Sequence, residues 1–314
     1  DHEVMDKTLS IVLPSYNEEQ MIEKTTETIT DLMEQEGIPF ELIFVNDGSK
    51  DGTWEEILKQ KDINPHVKGV CFSRNFGKEA AISAGMDQAA GACVAVMDCD
   101  LQHPPETLVT MYRLWESGFQ VIEGIKASRG KESLIYKMFA KTFYKIISNA
   151  TGIAKSCASY FMLLDRQVVD EYLRLPERNV FFRALSSWVG FKTTYVEFDV
   201  QQRTAGKSKW SFKSLARYAV NNITSFSAAP MQIVTFFGFI FFLVAVILGI
   251  QSLYMYFSGH AVEGFTTVIL LLLFVGSVLM FSLGVIGYYI SKIYEEVKMR
   301  PRYIISEIVG TDID

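Results

Sequence analysis

The chain is short of everything that marks a disulfide-stapled or zinc-clipped protein. It has four cysteines in 314 residues, Cys71, Cys93, Cys99 and Cys157. They form no CxxC pair, and no histidine stands at zinc-ligand spacing. The thiols therefore read as reduced, mostly buried groups of a cytosolic compartment. Long runs of one charge are missing too, and the formal net charge is −6, so no nucleic acid is expected as partner. The first ten residues, DHEVMDKTLS, are charged and carry no apolar h-region. They do not read as a signal peptide. No GxGxxG follows the first apolar run and no GxxxxGK[ST] occurs anywhere. A Rossmann dinucleotide site and a P-loop are both disfavoured.

The most informative absence is of charge. No Lys, Arg, Asp or Glu occurs from Tyr218 to Val262. Within that window Met231 to Tyr254 is almost wholly apolar, and a second apolar run covers Phe265 to Ile290. Each exceeds the ~20 residues needed to cross a hydrocarbon core of ~30 Å. A hydrophobic content of 49% and a mean hydropathy of +0.16 agree with membrane insertion. Lys207, Lys209, Lys213 and Arg217 precede the first run; Lys292, Lys298, Arg300 and Arg302 follow the second. The connecting MYFSGHAVEG has no Lys or Arg. The positive-inside rule then puts both termini in the cytoplasm. The expected organisation is a cytosolic domain over 1–225, a transmembrane hairpin over 226–292 and a cytosolic tail over 293–314.

The cytosolic part alternates apolar strands and helical stretches. LSIVLPSYNEE is a strand ending in a polar turn; MIEKTTETITDLMEQ has helical spacing through Met21, Ile22, Ile29, Leu32 and Met33. FELIFVNDGSKDGT, VKGVCFSRNFG and ACVAVMDCD read as three further strands. WEEILKQK and an Ala-rich helix ended by Gly91 lie between them. This order predicts an α/β fold with a mainly parallel, Rossmann-like sheet. Ligands of such sheets bind beyond the C-terminal strand ends. The polar clusters fall there: Asn17-Glu18, Asp47-Gly48-Ser49, Arg74-Asn75, and Asp98 with Asp100.

The fourth strand stops on two carboxylates one residue apart, followed by Gln102, His103 and two prolines. Such a pair suits Mg²⁺ or Mn²⁺, which takes one or two carboxylates and completes its shell with substrate phosphates. A DxD alone is a weak signal and also occurs in solvated loops; its place after a buried strand strengthens it.

IVLPSYNEE, FVNDGSKDGT, SRNFGKEAA and MDCDLQHPPE together resemble the GT-A glycosyltransferases of family 2. More closely, with RTAGKSKWSFKSL, two apolar runs and RPRY, they resemble the polyprenyl-phosphate glycosyltransferases. That group includes the bactoprenol glucosyltransferases and the dolichyl-phosphate mannose synthases. The resemblance covers nearly the whole chain. It implies a UDP-sugar donor whose nucleoside is held by Pro14, Tyr16, Glu18 and Asp47. Asp98 and Asp100, completed by Gln102, are implied to hold the metal and the donor diphosphate. Asp47 also suits a turn-forming role in NDGS. The acceptor implied is polyprenyl (undecaprenyl) phosphate, met by Arg129, Arg203, Ser208 and Lys209. Arginine's fork of donors fits phosphate oxygens, whereas Lys213 and Arg217 read as contacts to membrane lipids. The implied product is a lipid-linked monosaccharide with inverted anomeric configuration, made at a bacterial inner membrane. The sugar stays open between glucose and N-acetylglucosamine.

One departure stands out. Many relatives carry a GDFRL-like stretch whose aspartate is proposed as the base. Here SYFMLLDR puts Tyr160 and Met162 at the aspartate and arginine positions, and Asp165 reads as structural. A phosphate monoester has a second pKa near ~6 and is largely ionised at cytosolic pH, so the acceptor needs little help from a base. Two other readings stand beside this one. A processive family 2 synthase is disfavoured, because SSWVG is no match to a QxxRW-type stretch. A catalytically impaired membrane scaffold is favoured only by the Tyr160 and Met162 departures. Glycines in the apolar runs, such as Gly276 and Gly284, allow packing into a homo-oligomer, although they are common in spans without that role.

Overall fold

The computed structural model describes residues 7–126, 160–174, 190–199, 229–259 and 264–310. The chain forms two compact units, 1–208 with 300–314, and 209–299.

The first unit is built on one eight-stranded sheet. Its strands are β1 (Leu9–Ser15), β2 (Phe40–Asn46), β3 (Val67–Phe72), β4 (Cys93–Val96), β5 (Val121–Lys126), β6 (Met162–Asp165), β7 (Thr193–Phe198) and β8 (Ile305–Val309). The spatial order is β7-β5-β6-β4-β1-β2-β3-β8. β1 runs parallel to β2 and β4, and β2 parallel to β3. β6 and β8 run antiparallel to β4 and β3. The helices are α1 (Glu19–Gln35), α2 (Thr53–Ile63), α3 (Lys78–Gln88), α4 (Glu106–Glu116) and α5 (Arg166–Arg174).

All seven residues of β2 are buried, as an inner strand covered on both faces requires. Side chains alternate between two apolar layers. Leu9, Ile11, Leu13, Leu42 and Phe44 pack with Ile22, Ile29 and Met33 of α1 and Leu108 and Met111 of α4. Val12, Ile43 and Val45 pack with Ala81, Ile82 and Ala84 of α3 and Val168 and Val169 of α5. The Ala-rich character of α3 has a packing cause: a Cβ on Gly85 would stand 2.3 Å from Val12 Cγ1. The helix lies too close to β1 for anything larger. The helix ends at Gln88 rather than at Gly91. Gly91 instead sits in the turn into β4 and donates its N–H to Ser10 Oγ (2.9 Å).

The segment 293–314, expected to be a tail, divides. Its start continues a helix to Val297, and Ile305–Val309 return to the sheet as β8. Trp54 Nε1 donates to Glu307 Oε2 (3.1 Å), and Tyr303 stacks on Phe72 with ring centres 5.1 Å apart.

The second unit holds α6 (Ala229–Phe257) and α7 (Phe265–Val297). At 1.5 Å per residue they are about 43 and 50 Å long. Their most apolar windows, 234–251 and 274–294, have mean hydropathies of 2.5 and 1.7, and none of either window is buried. Phe236, Phe237, Phe239, Ile247 and Ile250 are more than half exposed. By length and composition both helices suffice to cross a membrane. At the end of α7, Lys298 Nζ lies 4.2 Å from the Tyr294 ring centre, a basic and aromatic pairing suited to a membrane–water interface.

At the end of the sheet away from the DxD turn, Glu41 is a buried carboxylate. It accepts from Ser10 Oγ (2.5 Å) and the Ala90 N–H (2.7 Å), and pairs with Lys68 Nζ (2.7 Å). Burial raises its pKa, but the Lys68, Ser10 and Ala90 contacts outweigh it and hold the carboxyl below its ordinary 4.5. A depressed carboxyl stabilises the fold above its unfolded pKa and loses that contribution as pH falls. Glu41→Gln is therefore expected to cost about 2 kcal/mol at neutral pH. In thermal unfolding of the detergent-solubilised chain, the gap between wild type and variant should shrink below about pH 4.5. A gap that is constant from pH 7 to pH 3 contradicts the assignment.

Candidate active site

Four strand ends converge on one cleft of about 350 Å³. β1 and its turn supply Pro14, Ser15, Tyr16 and Glu18, and the residue after β2 is Asp47. The turn after β3 and the start of α3 supply Asn75, Gly77, Lys78 and Ala81; the end of β4 supplies Asp98, Cys99 and Asp100.

The turns are tied to one another by side chains. Asn17 donates its N–H to Ser49 Oγ (3.0 Å) and accepts the Lys50 N–H on Oδ1 (2.9 Å). Glu18 N–H donates to Thr53 Oγ1 (3.0 Å), and Gly52 N–H donates to Glu19 Oε2 (3.1 Å). The Glu18 and Gly52 bonds satisfy backbone donors that a helix start leaves open. Gly48 has a φ of 62°, and a Cβ there would stand 2.3 Å from the Arg74 carbonyl carbon. Only glycine allows the β2 turn to approach the β3 turn this closely.

Asp47 is 4% exposed. Its Oδ1 accepts the Phe76 N–H (2.6 Å) and its Oδ2 the Gly77 N–H (3.0 Å). Burial pushes its carboxyl above the ordinary value, and the two amides offset part of that rise. Asp47 thus both lines the cleft and fixes the entry to α3.

The acid turn is anchored from behind. Thr25 Oγ1 on α1 donates to the Cys99 carbonyl (2.8 Å). Cys99 is 2% exposed, and burial pushes its thiol up to about 12. The Cys99 thiol is buried, and Asp98 and Asp100 on either side of it line the cleft. Asp100 Oδ1 accepts the Gln102 N–H (3.2 Å); Gln102 itself is not among the lining residues. Asp98 is paired with the Lys78 ammonium. The ring centre of Tyr160 lies 4.3 Å from Lys78 Nζ, and the Tyr160 hydroxyl donates to Glu79 Oε1 (2.8 Å).

Among the described residues no group of three or more His, Cys, Asp or Glu side chains is gathered to cage an ion. Two carboxylates in an open cleft fit a cation that draws its other oxygens from substrate and water, as Mg²⁺ does. They do not fit a closed four-ligand zinc site.

Of the sequence-derived site residues, Pro14, Tyr16, Glu18, Asp47, Asp98 and Asp100 come together in this cleft. Arg129, Arg203, Ser208 and Lys209 lie outside the described residues. Met162 is buried in β6, register-paired with Val96 and Glu123. Asp165 accepts from Trp115 Nε1 (2.8 Å) and the Gln167 N–H (2.9 Å), both structural contacts. Asn75 belongs to the polar cluster expected after the third strand, whereas sequence reasoning missed Lys78. The available signal was the place of Lys78 three residues after Asn75, level with the other polar clusters.

The profile of glycosyl transferase family 2 matches residues 10–173. The chain belongs to that family. An uncharacterized glycosyltransferase of Bacillus subtilis is 39% identical over 311 residues, covering 96% of this chain and 94% of that one. A prophage bactoprenol glucosyl transferase homolog of Escherichia coli is 36% identical, with 96% and 99% covered. The bactoprenol glucosyl transferase of Shigella phage SfII is also 36% identical, with 95% and 97% covered. A solved mycobacterial protein shares the fold at 17% identity and a TM-score of 0.51, covering 71% of this chain and 76% of that one. As a family 2 member the chain is a glycosyltransferase, and the cleft lies inside the matched range.

The glycine between the β2 and β3 turns gives a direct check on this geometry. Gly48→Ala places a side chain at positive φ and against backbone, so it should lower stability by about 2 kcal/mol or more. Thermal unfolding measures this; a variant as stable as wild type contradicts the close approach of the two turns.

Proposed function

We propose that this glycosyltransferase transfers one sugar from a UDP-sugar to undecaprenyl phosphate at the cytoplasmic face of a bacterial inner membrane. The observation that carries the reading is the pair Asp98 and Asp100, lining a cleft at the strand ends of a chain that also has two membrane-long helices. The near full-length relatives named bactoprenol glucosyl transferases support the lipid acceptor. The basic residues that flank the apolar helices support a cytoplasmic catalytic domain and cytoplasmic termini.

In this reading Pro14, Tyr16, Glu18 and Asp47 receive the nucleoside, where carboxylates accept from ribose hydroxyls and from a uracil N–H. Asp98 and Asp100 hold Mg²⁺ or Mn²⁺, which when bound offsets the negative charge of the departing diphosphate. Arg129, Arg203, Ser208 and Lys209 receive the acceptor phosphate. A phosphate oxygen of the acceptor attacks the anomeric carbon. The bond from that carbon to the diphosphate oxygen breaks, UDP leaves, and the configuration inverts. The nucleophile arrives ionised, so Tyr160 need not replace a base. Catalysis then rests on positioning and charge stabilisation.

The test is transfer of label from UDP-glucose or UDP-N-acetylglucosamine to undecaprenyl phosphate by the full chain in detergent. An organic-extractable product carrying one sugar is expected, and Asp98→Ala or Asp100→Ala should lower its rate about a hundredfold or more. A water-soluble polymer would point instead to a processive synthase. UDP-sugar binding without any transfer would point to a scaffold.

A further inference from the structure

Lys78 is the only basic side chain among the described residues that line the cleft. It is the first residue of α3, where the helix dipole works against a cation. A lysine in that place needs an anion, and among the described residues it pairs with Asp98. Both side chains keep about a third of their surface open, 35% for Lys78 and 31% for Asp98. The pair is therefore accessible to exchange. The Lys78 ammonium is also steered from its other side. The Tyr160 ring, 4.3 Å from Nζ, offers its negative face to the charge. That ring is itself held by the hydroxyl bond to Glu79, the next residue of α3.

A divalent cation arriving at Asp98 repels the Lys78 ammonium across the carboxylate they share. Once displaced, the ammonium remains beside the cleft with the dipole of α3 against it. The anion that relieves it is the diphosphate of a nucleotide lying in the same cleft. We propose that Lys78 anchors the donor diphosphate and competes with the divalent cation for Asp98. Tyr160 is the positioning residue that keeps the ammonium in the cleft in both states. This rests on the sugar-nucleotide reading above. It makes nucleotide and cation bind cooperatively, because each frees the other's partner.

The test measures binding to the full chain in detergent, with no turnover involved. Free Mn²⁺ is counted by electron paramagnetic resonance without nucleotide, and UDP binding is measured by calorimetry with divalent ions chelated. In Lys78→Met, Mn²⁺ alone should bind about threefold tighter, the weight of a part-exposed ion pair. UDP alone should bind about tenfold weaker, the weight of a charge-assisted hydrogen bond. Tyr160→Phe keeps the ring but loses its bond to Glu79 and should lower UDP affinity less than Tyr160→Leu, which removes the ring although Lys78 is present. A lysine with only a structural role would weaken both ligands together and lower the unfolding temperature. That outcome, or unchanged affinity for either ligand in Lys78→Met, overturns the inference. If the wild-type chain itself binds neither UDP nor Mn²⁺, the sugar-nucleotide reading falls first; if it binds both and Lys78→Met matches it, only the role of Lys78 falls.

Discussion

Two like charges brought to one cleft by one short turn are the constraint around which this fold is arranged. Adjacent carboxylates repel each other unless something offsets them. Asp98 and Asp100 line the cleft, and the turn between them is held where the Cys99 carbonyl accepts from Thr25. Lys78 offsets Asp98, and the Gln102 N–H serves Asp100. A third acid, Asp47, accepts from backbone amides at the start of α3, which offset part of its charge. What remains is a concentrated negative site whose natural complement is a hard cation bridging to phosphate.

The parallel heart of the sheet was legible because its strands are short apolar runs that end abruptly in polar turns. β1, β2 and β4 show that pattern, and the polar residues following them meet in the cleft. β8 was not legible. It follows a long apolar helix in sequence, and its pairing with β3 joins residues more than two hundred positions apart. Local pattern carries no trace of such a partner. β6 is four residues long and runs against its neighbour, so it too reads ambiguously. Lys78 escaped because a lysine beside a glutamate at a helix start looks like an ordinary solvated pair. Only the packing of α3 against β1, allowed by Gly85, turns that helix end toward the acids. Tyr160 and Met162 were visible as departures from the family pattern. Their consequence needed coordinates: one steers a cation and the other fills the core.

The two-unit construction matches the chemistry proposed. A soluble nucleotide needs a rigid polar cleft, and the clasped turns around Asn17, Ser49 and Thr53 supply rigidity. A lipid acceptor lies at a membrane surface, and two exposed apolar helices can hold an enzyme there. The return of the chain from the second helix into β8 makes the residues after that helix part of the sheet.

The central claim is that a divalent ion gripped by Asp98 and Asp100 is where this cleft meets a nucleotide diphosphate. The most direct measurement is a structure of the full chain with UDP and Mn²⁺, located by anomalous scattering at the manganese edge. The account predicts a single strong manganese peak within coordination distance of an Asp98 or Asp100 carboxylate oxygen and of the UDP phosphates. A peak elsewhere, or UDP bound with both carboxylates turned away from it, would contradict the account.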